Sequence, residues 1–132
     1  MGEKKMKLIQ NYENLLRFYK ADEEFFSKEG FGFSIADRIL HIALLYPWDA
    51  YYLFYYAKRI PDKGGYLEIG GGYGSSTLCV HLATQLVETT VNLVTIDPFV
   101  PFDGGRNASK AHFIENTKDI PHLRVIDCAS DV

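Results

Sequence analysis

The chain is poor in cysteine, has no basic excess and contains no long apolar run, and each shortage removes a class of function. Cys79 and Cys128 are the only two cysteines in 132 residues, too few and too far apart for a disulfide framework or a CxxC zinc site. Cys79 stands two residues before His81, but residues two apart on a helix do not share a face. A buried structural thiol is therefore expected there in place of a ligand pair. His41 and His112 have no partner at ligand spacing and read as surface or core histidines. No metal site is expected. The net charge of −3 argues against a nucleic-acid partner, which normally meets a basic patch. Apolar stretches such as "YYLFYY" are far too short to cross a bilayer, so no membrane partner is expected. Lys4, Lys5 and Lys7 are followed by no apolar signal core, and Met6 stands where a myristoylation signal requires Ser or Thr. The expected compartment is the cytoplasm, where the sequon at Asn107 carries little meaning.

What remains is a chain of one domain's length, 47% hydrophobic and 23% charged. That length buries about two-thirds of the unfolded surface. Residues 1–62 read as a helical amino-terminal segment. In "LIQNYENLLRFYK", Leu8, Tyr12, Leu15, Leu16 and Tyr19 form one apolar stripe at three- and four-residue spacing. Gly30 and Gly32 break the pattern, and Ser34 with Asp37 resembles a capping box before "IADRILHIALLY". Pro47 interrupts, and Asp49 is the expected cap of a further helix, "AYYLFYYAKRI". Its rings (Tyr51, Tyr52, Phe54, Tyr55, Tyr56) cover both helix faces without basic partners, so packing against a sheet is expected in preference to base stacking.

From residue 63 the grammar changes. "YLEI", "VNLVTI" and "HLRVID" read as strands, with helices at "SSTLCVHLATQL" and "ASKAHFIENTKDI" and a long loop, "DPFVPFDGGR", between them. Strand, helix, strand, helix, strand predicts an α/β parallel sheet with right-handed crossovers.

The first of these strands runs into "GGGYGSST", where Gly70, Gly71, Gly72 and Gly74 precede a helix opening on Ser75 and Ser76. A helix N-terminus offers backbone N–H groups and partial positive charge, and glycines let a ligand approach. A tight turn packing helix on strand needs fewer than four glycines in five positions, which favours a ligand. The loop holds no lysine and is not a Walker loop. The dinucleotide pattern GxGxxG wants its third small residue at Ser75, whereas Gly74 falls one position early. Glu68 stands two residues before the GxGxG turn, and Tyr73 is placed to lean on a ligand.

"YLEIGGGYGSSTL" resembles the first motif of class I S-adenosylmethionine-dependent methyltransferases. Together with "TIDPF" it is similar to the branch of macrolide-sugar O-methyltransferases and cephalosporin-hydroxylase-like proteins. The likeness runs from about Gly65 to the carboxyl end, roughly half of the chain. It implies a Rossmann-like sheet of order 3-2-1 within residues 63–132, an S-adenosylmethionine site, and a small-molecule acceptor bearing a hydroxyl. Glu68, Gly70, Gly71, Gly72, Tyr73, Gly74, Ser75 and Ser76 correspond to the cofactor loop. Asp97 corresponds to the acid that binds the ribose hydroxyls, with Pro98 beside it; capping of the next turn is the alternative for Asp97. In "RVIDCASDV", Ser130 matches the family's serine, while Cys128 and Ala129 replace its glycine and acid and leave Asp127 or Asp131 out of place.

A complete protein of this class resembles a seven-stranded sheet. Its fourth strand, beside the first, carries the acidic motif that holds magnesium in metal-dependent relatives. None of that lies before Val132, so the chain is expected to supply the cofactor half alone and strand one to be an exposed edge with apolar Leu67 and Ile69. The amino-terminal helices or a second copy are the candidates to cover it. Besides a methyltransferase, a nucleotide-binding or assembly module without chemistry stays open. A nicotinamide oxidoreductase is disfavoured by the glycine spacing.

Overall fold

The computed structural model describes residues 2–42, 45–99 and 109–127, with side chains from residue 11 onward. Ser130, Cys128, Asp131 and the sequon asparagine lie outside the described residues.

Three short strands, β1 (Gly65–Ile69), β2 (Asn92–Ile96) and β3 (Leu123–Ile126), form one open, all-parallel sheet in the order β1-β2-β3. This is the expected 3-2-1 order. Helix α5 (Ser75–Leu86) joins β1 to β2, and α6 (Ser109–Thr117) lies between β2 and β3. Parallel register sets Leu67 beside Val94 and Ile69 beside Ile96, and Ile96 in turn beside Ile126. Side chains alternate across a strand, so Tyr66, Glu68, Leu93 and Thr95 share one face, and Leu67, Ile69, Val94 and Ile96 the other. Right-handed crossovers send both connecting helices to the same side. They cover the face of Glu68 and Thr95, while Leu67 and Ile69 are 60% and 65% exposed. The apolar edge anticipated for strand one is therefore present.

Four helices precede the sheet: α1 (Gly2–Ala21), α2 (Glu23–Lys28), α3 (Phe33–Leu40) and α4 (Pro47–Ala57). Leu15 and Tyr19 of the predicted stripe are buried in α1. Helix α2 was not separable by pattern; the chain bends at Asp22, whose amide donates to the Tyr19 carbonyl, and Phe26 turns into the core. Gly30 adopts φ +87° and ends that helix.

Two expected caps are corrected. Helix α3 begins at Phe33 with Gly32 as its N-cap, and Ser34 makes no cap. The Asp37 carboxylate instead accepts the Tyr12 hydroxyl from α1, a contact across 25 residues that no local pattern reveals. Helix α4 begins at Pro47, with Tyr46 as N-cap, and not at an Asp49 cap. Proline suits the first helical position because its φ is already helical and its missing N–H would be unpaired there. Asp49 falls in the first turn, where its charge complements the helix dipole.

The rings of α4 pack in a way the sequence did not indicate. Helix α4 lies chiefly on helix α5, not on the sheet, with Ala50 touching Cys79. Tyr51 and Phe54 join Phe26 and Phe31 in a buried aromatic cluster, with ring centroids 5.3–6.4 Å apart. Tyr52 and Tyr56 face outward. One apolar core runs from Leu15 and Tyr19 through this cluster to Leu78, Val80 and Leu82 of α5 and Leu93 of β2. Because the helices stack on α5, the segment from Ile35 to Ile60 does not bury Leu67 and Ile69, contrary to one of the arrangements anticipated.

Among the described residues no helix is long and apolar enough to cross a membrane.

Candidate functional site

The glycine loop begins where β1 ends. Gly70 extends the ladder by one bond, its amide donating to the Ile96 carbonyl at 2.8 Å, and the chain then turns. Gly70, Gly72 and Gly74 take φ of +87°, +55° and +93°. That region costs an L-residue about 1–2 kcal/mol. Gly71 is glycine for a different reason: a Cβ there would stand 2.9 Å from Cε2 of Phe113 and closer still to the Thr95 methyl. At Gly74 it would meet the Thr117 methyl at 2.9 Å. At Gly70 it would meet nothing within 4 Å.

These positions correct the argument from glycine number. Backbone turning at Gly70, Gly72 and Gly74, and the closeness of Thr95 and Phe113 at Gly71, account for all four glycines without a ligand. The feature that invites a ligand is narrower: the space outside Gly70 is open, while Gly71 and Gly74 are closed by α6.

Helix α5 starts at Ser75 with Gly74 as N-cap, and no side chain caps it. Ser75 is buried and Ser76 half-buried. The Tyr73 carbonyl accepts a hydrogen bond from Asn116 Nδ2 at 2.9 Å, and its ring meets the edge of His112 at 5.2 Å. Tyr73 thus leans on α6. Asn116, Phe113 and Thr117 form a support that sequence reasoning missed, since their only signal was a half-polar helix some forty residues downstream.

Glu68 does not point into the loop opening. Glu68 is 7% exposed beneath α5, where its carboxylate accepts the Thr77 hydroxyl and, at 3.0 Å, the Thr95 hydroxyl. Burial pushes its pKa up, and the hydroxyls of Thr77, Thr95 and Tyr66 oppose that rise. The same burial raises the Tyr66 phenol above its ordinary value, with Glu68 adding to the effect. Among its described contacts, Glu68 acts on the loop from behind, tying strand β1 to the first turn of α5.

Asp97 follows directly after β2. Register carries it to the loop: Ile96 lies beside Ile69, so the residues after each strand are neighbours. Its Oδ2 accepts the Gly72 amide at 2.9 Å and its Oδ1 accepts the Phe99 amide at 2.7 Å. The capping role considered for Asp97 is present, together with a bond to the loop. A carboxylate has about four acceptor sites, so two backbone donors leave capacity for others. Pro98 lies half-buried between Asp97 and Phe99. At the end of β3, Asp127 is held in an ion pair by Lys110 of α6. Its side chain is half-exposed.

Cys79 is fully buried in α5 and donates its thiol to the Ala50 carbonyl at 3.3 Å. Burial drives the thiol pKa well up, as expected of an unreactive structural cysteine. His81, half-buried, is pushed down in pKa by burial and by Arg38. Among the described residues no group of three or more His, Cys, Asp or Glu is placed to hold a metal ion. One polar depression at the α1–α2 corner, lined by Lys20, Asp22, Glu23, Phe25 and Lys28 among others, includes no residue of the glycine loop.

Comparison with known proteins finds no matching family model, no matching curated protein and no matching solved structure.

Proposed function

We propose that this chain forms the cofactor-binding part of a Rossmann-like class I methyltransferase that uses S-adenosylmethionine and acts on a small-molecule hydroxyl. The observation that carries this reading is the meeting of Asp97 with the glycine loop, through the 2.9 Å bond to the Gly72 amide. An acid able to accept from vicinal hydroxyls is thereby held beside a backbone turn whose outer side, at Gly70, is open. The residues fit a nucleoside-bearing ligand on that count: a Cβ at Gly70 would project into the free space.

When bound, the cofactor supplies a methyl group activated on sulfonium. The protein's part is positional. Gly70 would let the ligand approach the backbone, and the uncapped start of α5 offers partial positive charge. Asp97 would accept from the ribose hydroxyls, and Pro98 limits the freedom of the turn beside it. Glu68, through Thr77 and Thr95, keeps the strand and helix that carry the loop in register. In an in-line methyl transfer, holding donor and acceptor in alignment would supply much of the rate.

Calorimetric titration with S-adenosylhomocysteine, S-adenosylmethionine and NAD tests the reading. Binding of the first two with no heat from NAD is expected. NAD binding without response to either sulfur-bearing nucleoside overturns it in favour of a nicotinamide protein.

A further inference from the structure

We propose that Asp97 is a positioning residue for the glycine loop, setting its shape before any ligand arrives. Asp97 therefore governs affinity even for ligands that have no hydroxyls to offer it. This rests on the cofactor-site reading above for the identity of the ligand, but not for the contact itself.

Gly72 lies at the middle of the turn, in the left-handed region, where an unconstrained glycine populates several conformations about equally. Behind it, Thr95 of β2 and Phe113 of α6 crowd Gly71, and Thr117 crowds Gly74. The Asp97 carboxylate selects a direction for the Gly72 amide by accepting it at 2.9 Å. Asp97 is itself fixed at three points. Its own amide donates to the Ile126 carbonyl at 3.0 Å, its Oδ1 accepts the Phe99 amide at 2.7 Å, and it sits at the end of a strand paired on both sides. Orientation is thus transmitted from the paired strands β2 and β3 to the Gly72 amide by the Asp97 carboxylate. A bond from an amide to a carboxylate is stronger than one between neutral groups, which suits it to that task.

A residue that only touched ribose would behave differently. Replacing it would weaken binding of a ligand with both hydroxyls and leave a ligand without them unaffected. A residue that positions the loop weakens both.

The experiment compares wild type with Asp97→Asn, in which one oxygen becomes a donor and opposes either Gly72 or Phe99. A second variant, Asp97→Ser, keeps a short acceptor for the Phe99 amide but does not extend to Gly72. Each is titrated with S-adenosylhomocysteine and with its 2′,3′-dideoxy analogue, and amide exchange at Gly72 is measured without ligand. The expected result is a loss of roughly tenfold for the dideoxy analogue as well, the scale of one hydrogen bond to a charged group, with faster Gly72 exchange in both variants. Unchanged affinity for the dideoxy analogue, with Gly72 exchange unchanged in the ligand-free variants, overturns the proposal. If neither nucleoside binds the wild type, the cofactor reading fails, and ligand-free exchange at Gly72 alone then decides whether Asp97 positions the loop.

Discussion

On one face of the sheet Glu68 and Thr95 lie under α5, the Thr95 hydroxyl donating to the Glu68 carboxylate; on the other, Leu67 and Ile69, one residue away along β1, are 60% and 65% exposed. The residue types are the reverse of a simple inside-outside rule. Near the loop the acid Glu68 and Thr95 occupy the covered face, and Leu67 and Ile69 the open one. The covered face can hold the acid because hydroxyls satisfy it, which keeps a buried charge from being prohibitive. The open face carries side chains typical of a parallel sheet covered on both sides. Burial on this sheet is thus set by the direction of the crossovers and not by hydrophobicity alone.

The largest expected effect sits on the covered side. Phe113 is fully buried where α6 meets Gly71 and Gly74, so Phe113→Ala should cost about 3–5 kcal/mol in urea unfolding. A loss below about 1 kcal/mol, the ordinary range for mild substitutions, would mean that α6 does not support the loop.

A second effect appears in pH dependence. Glu68 has its pKa raised in the folded state, mainly by burial. Its contribution is therefore most favourable below the ordinary carboxylate value and is lost as pH rises through the raised folded value. Glu68→Gln removes that loss, so the urea midpoint of the variant should gain on wild type from acid to neutral pH. Parallel profiles for the two proteins would show that the covered face does not disfavour the charge.

The smallest effect on stability belongs to the open side. Leu67→Thr should change unfolding free energy by no more than about 0.5 kcal/mol. It should also reduce any self-association seen by size exclusion, since an unprotected apolar edge strand invites pairing with a second copy. A large destabilisation without change in association would mean that Leu67 is covered within the chain, and the contrast between the faces would disappear.

Local signals carried part of this account. The alternation of strands and helices was legible because apolar periodicity changes at residue 63, and parallel order follows from crossover handedness. The loop was legible because glycines cluster only where the backbone turns or meets something closely. The start of α4 differs from the expected Asp49 cap because Pro47 reads equally as a break and as a first helical residue. Ser34 and Asp37 looked like a local box because the pattern contains no trace of Tyr12, which claims Asp37 from another helix.

The sequence by itself determined the alternation of strands and helices, the glycine cluster after the first strand and the acid that closes the second, since each depends on neighbours along the chain. Tertiary structure alone decided which glycines answer to α6, that Glu68 faces inward to Thr77 and Thr95, and that Asp97 grasps Gly72. Those contacts join residues up to some forty positions apart, and their partners are chosen by strand register and helix packing, which no local periodicity encodes.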